Sequence, residues 1–266
     1  MQVTGLCRFS YPAIGGFQIE HETIEDRRAF LYSSKRLNER FHLLETVTLP
    51  GLKDQTDEDF EFLIVVGNCL PADASDRLYD LTAGVKQVRI IAETPDEHRK
   101  VMKRILNQAR TDPGKPCLQF RLDDDDAVAV DFIERLRGAI GDFTGLIKRH
   151  PAITIDFNCG YLLDVSRGAP RALRLHRSLI SAGLGMYVQG NSDLTIMNFA
   201  HQRLARFMPV VSYPDKPMWI RSLNGFNDSP NARKGQQKPE PLDIDIKTDL
   251  AERFAVDAAR LTYSDA

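Results

Sequence analysis

The chain has 266 residues, 42% hydrophobic and 27% charged, a composition typical of a soluble globular protein that buries a sizeable core. Its 35 Lys and Arg residues nearly balance its 37 Asp and Glu residues, so no overall basic field indicates a nucleic-acid partner. We expect no secretory signal and no transmembrane segment, because the longest strongly apolar run, 62–66, is far too short to cross a bilayer.

The four cysteines form no C-x-x-C pair, and most of them occupy apolar, strand-like contexts. A thiol in such a context acts as a small hydrophobic group. This usage favours a reduced compartment, and we expect a cytoplasmic protein.

Short apolar segments alternate with amphipathic segments through the first half of the chain. The pattern predicts strands at 3–9, 60–66 and 87–92, and helices at 27–55, 73–81 and 96–110. Pro50 and Gly51 interrupt or restart the first helix. A fourth strand starts at Cys117 and ends in four aspartates. This alternation predicts βαβ units, and therefore an α/β fold with a mostly parallel central sheet flanked by helices.

The second half is less regular. The pattern predicts helices at 128–140 and 193–207 and strands at 153–163, 185–188 and 218–223. Residues 229–241 are polar and lack apolar periodicity, so a linker is expected there. An amphipathic helix follows, with Asp249 and Glu252 in capping-box spacing. We therefore expect one main domain at 1–228 and a C-terminal extension at 229–266.

The four consecutive aspartates at 123–126 are the most unusual feature of the sequence. If the backbone stays extended, Asp123 and Asp125 point to one side and Asp124 and Asp126 to the other. Same-side carboxylates about 6 to 7 Å apart repel by roughly 2 kcal/mol at an effective dielectric near 20. A bound hard cation such as Mg²⁺ or Mn²⁺ would offset this repulsion. The alternative is a solvated acidic turn that caps the next helix.

Ligands of open α/β sheets bind beyond the carboxyl ends of the strands. Arg8 lies at the carboxyl end of its predicted strand, and Asn68 and the aspartates follow theirs, so all of them should lie along one edge of the sheet. Arg8 and Arg121 could each meet a phosphate there. Lys103 and Arg104 are expected on a solvated helix face. For Trp219 and Arg221, a role in the site and a role in the core or on the surface both stay open.

The order of these segments resembles the nucleotide-sugar glycosyltransferases of the GT-A fold, a Rossmann-like α/β fold. The resemblance rests on the acidic strand, on Leu-Pro-Gly-Leu at 49–52 with Asp-Phe-Glu-Phe-Leu-Ile-Val at 59–65, and on Asn-Gln-Ala-Arg at 107–110. Arg-Leu-Asp-Asp-Asp-Asp at 121–126 and the segment 219–229 most resemble the bacterial putative rhamnosyltransferase family. The similarity covers residues 3–230.

The resemblance implies a metal-dependent transferase that moves a sugar, rhamnose by the family's name, from a nucleotide-diphosphate donor to a glycan or other hydroxyl acceptor. Mn²⁺ or Mg²⁺ would neutralise the departing diphosphate. By similarity, Asp125 is the direct metal ligand, Asp123 contacts the ribose or a metal-bound water, and Asp126 shapes the acceptor side. Asp124 supports the nucleotide site or is solvated. Asn224 stands where a histidine ligand is expected, with Asn227 or Asp228 as substitutes.

An inverting transferase needs a base that takes the proton of the acceptor hydroxyl. Asp193 is the candidate by chain position, although helix capping would also explain it, and Asp156 is a second candidate. His150, His176 and His201 lack zinc-site spacing and are expected to be structural or exposed. Peripheral membrane association stays open.

Two other functions compete with a transferase. Asp124, Asp126 and Val128 also satisfy the D-x-D-x-V pattern of phosphatases that use an aspartate nucleophile, although three predicted strands precede it here. A catalytically silent nucleotide-sugar-binding protein is the second alternative, which the missing histidine suggests. Hydrolysis of a phosphomonoester, compared with turnover of nucleotide-sugars, separates these functions.

Overall fold

The computed structural model describes residues 1–16, 21–166, 168–226 and 238–262. The strands are β1 Gln2–Arg8, β2 Glu61–Gly67, β3 Val88–Glu93, β4 Cys117–Arg121, β5 Ala127–Val128, β6 Ala152–Phe157, β7 Cys159–Asp164, β8 Arg171–His176, β9 Leu184–Val188, β10 Val210–Tyr213, β11 Trp219–Leu223 and β12 Glu240–Pro241. The α-helices are α1 Ile24–Leu31, α2 Ser34–Leu43, α3 Leu49–Lys53, α4 Ala72–Thr82, α5 His98–Gln108, α6 Phe132–Ala139, α7 Thr144–Ile147 and α8 Ile244–Phe254.

The larger sheet has the strand order β10-β6-β9-β4-β1-β2-β3. Strands β4, β1, β2 and β3 are parallel, and β9 is antiparallel to both β4 and β6. The interior residues of β2 are apolar and buried, as expected for a strand covered on both faces. The predicted α/β class with a mostly parallel central sheet is therefore confirmed.

A second sheet has the order β12-β8-β7-β11-β5. The predicted single strand at 153–163 is wrong, because the chain leaves the larger sheet after β6 and enters the second sheet at β7, with only Asn158 between them. Strand β5 follows the aspartates directly and pairs with β11, so helix α6 starts at Phe132 rather than at Val128. The acidic segment therefore lies where the two sheets meet.

Several predicted helices are divided or displaced. The predicted helix at 27–55 consists of α1, α2, a π-helical turn at Leu44–Thr48, and α3. The predicted helix at 193–207 is two short 3-10 segments, Ile196–Asn198 and His201–Arg206. Thr195 forms the capping box of the first of these segments. The propensity pattern had suggested a continuous helix in both places.

The C-terminal helix α8 packs against the main core, where Leu250 and Phe254 are fully buried. It is capped by Asp243, whose side chain accepts from the backbone N–H of Ile246 at 2.8 Å. The predicted capping role of Asp249 is wrong, since Asp249 lies inside the helix and accepts from the Tyr161 hydroxyl at 2.5 Å. The proposed domain boundary after residue 228 falls outside the described residues, as do Asn227 and Asp228.

Within the described residues, no helix is both long enough and apolar enough to span a membrane.

Candidate functional site

A cavity of about 270 Å³ opens at the carboxyl ends of β1 and β4. These strands are adjacent and parallel, with Leu6 opposite Arg121, so their ends meet at one edge of the sheet. Charged and polar side chains dominate the lining, which includes Arg8, His98, Arg121, Asp123, His201 and Arg221. Strand β11 of the second sheet supplies Arg221, so both sheets contribute to this cavity.

Asp123 is the only one of the four consecutive aspartates that lines the cavity. Burial would raise the pKa of its carboxyl, but the guanidinium groups of Arg121, Arg8 and Arg221 outweigh burial and hold the pKa below its ordinary value. The carboxylate is therefore ionised and surrounded by cations. Arg99 also lines the cavity, so four guanidinium groups against one carboxylate leave the lining with an excess of positive charge.

Asp124 and Asp125 instead turn toward helix α2, where they meet the buried Arg40. The guanidinium of Arg40 donates to both oxygens of Asp124, with 3.1 Å from Nε to Oδ2, and it donates from Nη1 to Oδ2 of Asp125 at 2.8 Å. Burial opposes the charged guanidinium, but the two carboxylates outweigh burial and raise the pKa of Arg40 well above its ordinary value. One protein cation thus bridges two of the aspartates.

The predicted alternation of the four side chains is wrong, because the extended strand ends at Arg121. The backbone turns over Asp124 and Asp125, and the N–H of Asp126 donates to the carbonyl of Asp123 at 3.1 Å. The turn separates Asp123 from Asp125, which were expected on one side. It also directs adjacent aspartates into different surroundings.

Asp125 meets Asn224 as well as Arg40. The Nδ2 group of Asn224 donates to Oδ2 of Asp125 at 2.6 Å, the same oxygen that accepts from Arg40. The Oδ1 atom of Asn224 accepts from the backbone N–H of Phe226 at 3.0 Å. Burial raises the pKa of Asp125 although Arg40 opposes this effect. Asp125 and Asn224, which were expected to bind a metal ion, are therefore hydrogen-bonded to protein groups.

The predicted metal site at Asp125, Asp123 and Asn224 does not fit this geometry. A Mg²⁺ or Mn²⁺ site needs several oxygen ligands directed at one point. Among the described residues, no group of three or more His, Cys, Asp or Glu side chains is arranged to hold a metal ion. The Asn224 amide presents a donor rather than an acceptor to Asp125.

Asp126 is buried and connects the acidic turn to the second sheet. Its Oδ1 atom accepts from the backbone N–H of Ser222 at 3.0 Å. Burial raises its pKa well above the ordinary value, and the neighbouring Asp125 raises it further. The predicted role of Asp126 in shaping the acceptor side remains a proposal.

The phosphatase alternative needs an accessible nucleophile at Asp124. Asp124 is only 2% exposed, and Arg40 occupies both of its carboxylate oxygens. A carboxylate held in this way is not available to attack a phosphate. The D-x-D-x-V spacing is therefore not matched by a phosphatase geometry.

The structure does not bring Asp193 to the cavity. The segment before it packs against the loop that precedes β4, where the N–H of Asn191 donates to the Pro113 carbonyl at 2.8 Å. Asn107, at the end of α5, donates to the Asp193 carbonyl at 3.1 Å. Asp193 therefore lies toward the amino end of β4, while the cavity lies at its carboxyl end. The prediction failed because β9 runs antiparallel and returns the chain to the opposite edge.

Two other predicted residues have structural partners. Asn68 follows β2 at the expected edge, but it is exposed, donates to the Thr94 hydroxyl at 3.1 Å, and is not among the described residues that line the cavity. Arg104 forms an ion pair with Glu93 at 2.8 Å on the surface, as expected for a solvated helix face. Trp219 is a core residue whose indole N–H donates to the Phe157 carbonyl at 2.8 Å.

Two histidines line the cavity, and the expectation that His201 is merely structural or exposed is wrong. Nδ1 of His201 lies 2.6 Å from the Leu179 carbonyl, which can only accept a hydrogen bond. The proton of a neutral ring is therefore on Nδ1, and the lone pair is on Nε2. Burial lowers the pKa of His201, and burial together with Arg8 lowers the pKa of His98 to about 3. Both rings are neutral at neutral pH.

Asp156 supports His201 indirectly. Its carboxylate is buried and accepts from the Leu179 N–H at 2.9 Å and from the Ser212 hydroxyl at 3.0 Å. Leu179 has a φ of 59°, a conformation that is uncommon for a residue with a side chain. Asp156 therefore fixes the turn whose carbonyl orients His201, and it does not line the cavity as a base would.

Sequence reasoning missed Arg40, His98 and His201. A signal for Arg40 existed, because it lies three residues after Leu37 and four before Leu44, on the side of the helix that carries the apolar residues. A charged residue at such a position must be paired when buried. No comparable signal marks His98 or His201, since long chain segments separate them from the aspartates.

A mostly parallel sheet with an acidic turn after a central strand is the arrangement expected of a glycosyltransferase of the GT-A type. The family described as Putative rhamnosyl transferase matches residues 2–236. The match covers most of the chain, so the chain belongs to this family, and the resemblance inferred from its motifs is confirmed.

Solved structures provide more distant similarities. S. aureus TarS 1-349 in complex with UDP-GlcNAc has a TM-score of 0.49 and 11% identity, over 86% of this chain and 60% of that chain. The same TarS fragment in complex with UDP has a TM-score of 0.46 and 12% identity, over 84% and 61%. A putative glucose-1-phosphate thymidylyltransferase from Bacillus anthracis in complex with a sucrose has a TM-score of 0.39 and 12% identity, over 82% and 88%.

The chain thus spans about 60% of the length of the TarS fragments that it matches. A search of curated protein sequences finds no match.

Proposed function

We propose that this chain transfers a glycosyl group from a nucleoside-diphosphate sugar to a hydroxyl of a glycan or another acceptor. The observation that carries the proposal is the convergence of Arg8, Arg121 and Arg221 on one cavity at the carboxyl ends of β1 and β4. Guanidinium groups suit phosphate oxygens because their planar N–H groups can donate in pairs. The family description supports glycosyl transfer, and it is the sole support for rhamnose as the sugar.

The proposed reaction breaks the bond between the anomeric carbon and the phosphate oxygen of the donor. A new bond forms between that carbon and the acceptor oxygen, and the acceptor hydroxyl loses its proton to a base. The bonding electrons leave with the diphosphate, where negative charge increases. Preorganised cations next to that charge stabilise the transition state more than the ground state.

We assign the proton acceptor to His201 in place of Asp193. His201 lines the cavity, and its Nδ1 contact to the Leu179 carbonyl leaves Nε2 as the atom that accepts a proton. Since its pKa is lowered, the ring is in the neutral form that a general base requires. Asp193 has a backbone position near the opposite edge of the sheet.

Divalent-metal dependence, which the resemblance implies, does not follow from the residues at this site. Asp125 and Asn224 bond to each other, and Arg40 bonds to Asp125. The proposed reaction therefore includes no metal-bound step. Asp123 remains the proposed contact for the ribose of the donor, because its ionised carboxylate can accept from ribose hydroxyls.

The test is a panel of nucleotide-sugars assayed for transfer and for hydrolysis, alongside a phosphomonoester. We expect turnover of at least one nucleotide-sugar and none of the phosphomonoester. Arg121→Ala should reduce that turnover, while Arg104→Ala should leave it unchanged, since Arg104 pairs with Glu93 on the surface. Robust phosphomonoester hydrolysis, or binding of a nucleotide-sugar without any turnover, would contradict the proposal.

A further inference from the structure

We infer that this chain binds the diphosphate of its nucleotide ligand without a divalent cation, because arginine side chains perform the charge compensation that a metal ion would supply. Arg40 neutralises the acidic turn from within the protein, and Arg8, Arg121 and Arg221 face the ligand. The inference rests on the proposed function for the identity of the ligand. The inference itself concerns which groups compensate the charge of the diphosphate.

Arg40 compensates the charge of the acidic turn from inside the protein. It is 8% exposed, and it donates three hydrogen bonds to Asp124 and Asp125. A buried carboxylate is strongly destabilising unless it is paired. Arg40 supplies that partner inside the folded chain. The charge repulsion that suggested a bound cation in the sequence is thus relieved by a residue of helix α2.

Asp126 needs no cation either. Its side chain is buried and does not line the cavity, and its Oδ1 atom accepts from the Ser222 N–H at 3.0 Å. With Asp124 and Asp125 paired to Arg40, Asp123 is the one of the four aspartates that lines the cavity. One carboxylate is a weak basis for a metal site, since Mg²⁺ and Mn²⁺ prefer several oxygen ligands.

The position of Arg40 also disfavours a divalent ion at Asp125. An ion ligated there would lie beside the guanidinium that contacts Oδ2 of Asp125 at 2.8 Å, and like charges at that range repel strongly in a buried site. It would also face the Nδ2 donor of Asn224, which lies 2.6 Å from the same oxygen. A metal ion at Oδ2 of Asp125 would therefore compete with both contacts.

The cavity has the complementary charge for a diphosphate. Arg8 and Arg121 end two adjacent parallel strands, and Arg221 reaches the cavity from the second sheet. With Arg99, which also lines the cavity, the four guanidinium groups and the carboxylate of Asp123 sum to three positive charges, which exceeds the two negative charges of a diphosphate diester. Burial is the largest cause of the low pKa of His98, about 3, and the positive charges of Arg8 and Arg121 lower this pKa further.

Calorimetric titration of the full chain with inorganic pyrophosphate and with UDP tests the inference. Each titration is run in excess EDTA, and again with Mg²⁺ or Mn²⁺. We expect dissociation constants that agree within about threefold between these conditions, whereas Arg121→Ala weakens binding about tenfold or more. Arg104→Ala is the control and should bind as the wild type does. Binding that needs Mn²⁺, or that Mn²⁺ tightens by about tenfold or more, overturns the inference.

A second measurement uses Arg40 itself. Removing the guanidinium leaves two buried carboxylates without their cation, so Arg40→Ala should acquire a Mn²⁺-dependent rise in melting temperature that the wild type lacks. Since this variant could fail to fold, Asp125→Asn is tested in parallel and should retain pyrophosphate binding in EDTA. A Mn²⁺-dependent rise in the wild type that Asp125→Asn abolishes would overturn the inference.

The outcomes also separate this inference from the proposed function. Sugar transfer that EDTA abolishes and Mn²⁺ restores would leave the proposed function intact and overturn the inference. Absence of any nucleotide, pyrophosphate or nucleotide-sugar binding, with and without metal, would overturn both.

Discussion

Arg40 donates to both carboxylate oxygens of Asp124 in the interior of the protein, which fixes the acidic turn to helix α2. The same guanidinium reaches Asp125 at 2.8 Å. The pair joins segments 84 residues apart in the sequence, so it connects the helix before β2 with the turn after β4.

Breaking this pair should destabilise the fold substantially. Arg40→Ala leaves two buried carboxylates uncompensated, and we expect a loss of about 3 to 5 kcal/mol in the free energy of unfolding. Urea denaturation measures it, with emission of the single, buried Trp219 as the signal. Arg104→Ala, which breaks a surface ion pair, should cost less than about 1 kcal/mol. Equal effects of the two variants would show that the Arg40 contacts contribute little.

The raised pKa of Asp126 predicts a specific dependence of stability on pH. Its folded pKa lies above its unfolded value, so the folded state binds more protons, and stability falls as pH rises from about 3.9 through the folded pKa. Asp126→Asn resembles the protonated acid in shape, keeps an acceptor for the Ser222 N–H, and should reduce this slope. Urea denaturation of both proteins from acidic to mildly alkaline pH measures the difference. An unchanged slope would mean that Asp126 does not titrate in this range.

The depressed pKa of Asp123 predicts the opposite dependence of stability on pH. Its folded pKa is depressed by the surrounding arginines, so its contribution to stability is present above the unfolded pKa and is lost as pH falls through the folded pKa. We expect Asp123→Asn to lose stability relative to the wild type at neutral pH and to converge with it in acid. The same titrations measure this, and a difference that grows in acid would contradict it.

The proposed base predicts a separation of kinetic effects. His201→Gln should reduce kcat by about 10² to 10⁴-fold and leave binding of the nucleotide largely unchanged. Because burial lowers the pKa of His201, the activity of the wild type should rise with pH below the ordinary histidine value of about 6.5 and then level off. That acid limb should disappear in the variant. His176→Gln, a histidine whose ring contacts the Pro214 carbonyl, is the matched control and should behave as the wild type does.

Gly160 should not tolerate a side chain. A Cβ atom there would collide with the ring and the carbonyl of Trp219 on the neighbouring strand β11. We expect Gly160→Ala to lower the free energy of unfolding by about 1 to 3 kcal/mol, because neither contact can move freely in a packed core. Gly84→Ala, where a Cβ meets nothing within 4 Å, provides the control. Similar stability of the two variants would contradict this packing.

The sequence predicted the strands that build the first half of the larger sheet, because their apolar runs are continuous and bounded by polar turns. It also predicted that Arg8, Arg121 and the aspartates gather at one edge, which follows from parallel strands alone. The direction of β9 could not be predicted from the sequence, because an apolar run does not indicate whether its strand is parallel or antiparallel to its neighbours. Asp193, which was chosen by chain position, follows β9 and therefore lies toward the amino end of β4.

The sequence also did not predict that the four aspartates have different surroundings. An extended backbone would have grouped Asp123 with Asp125, whereas the turn after Arg121 sends Asp125 to Arg40 and leaves Asp123 in the cavity. Arg40 itself was missed because a basic residue in a helix is usually solvated. The helical spacing of Arg40 indicates burial, but no local pattern indicates that Asp124 and Asp125 are its partners.

Because the two sheets meet at the cavity, a bound ligand should affect amide hydrogen exchange. Arg8 and Arg121 belong to the larger sheet and Arg221 to the second, so a ligand that contacts all three ties one sheet to the other. Strands β5 and β11, which pair through Trp219 and Val128 directly after the acidic turn, would then open less often. A bound nucleotide should therefore slow amide hydrogen exchange in this short ladder, including at amides that it does not touch.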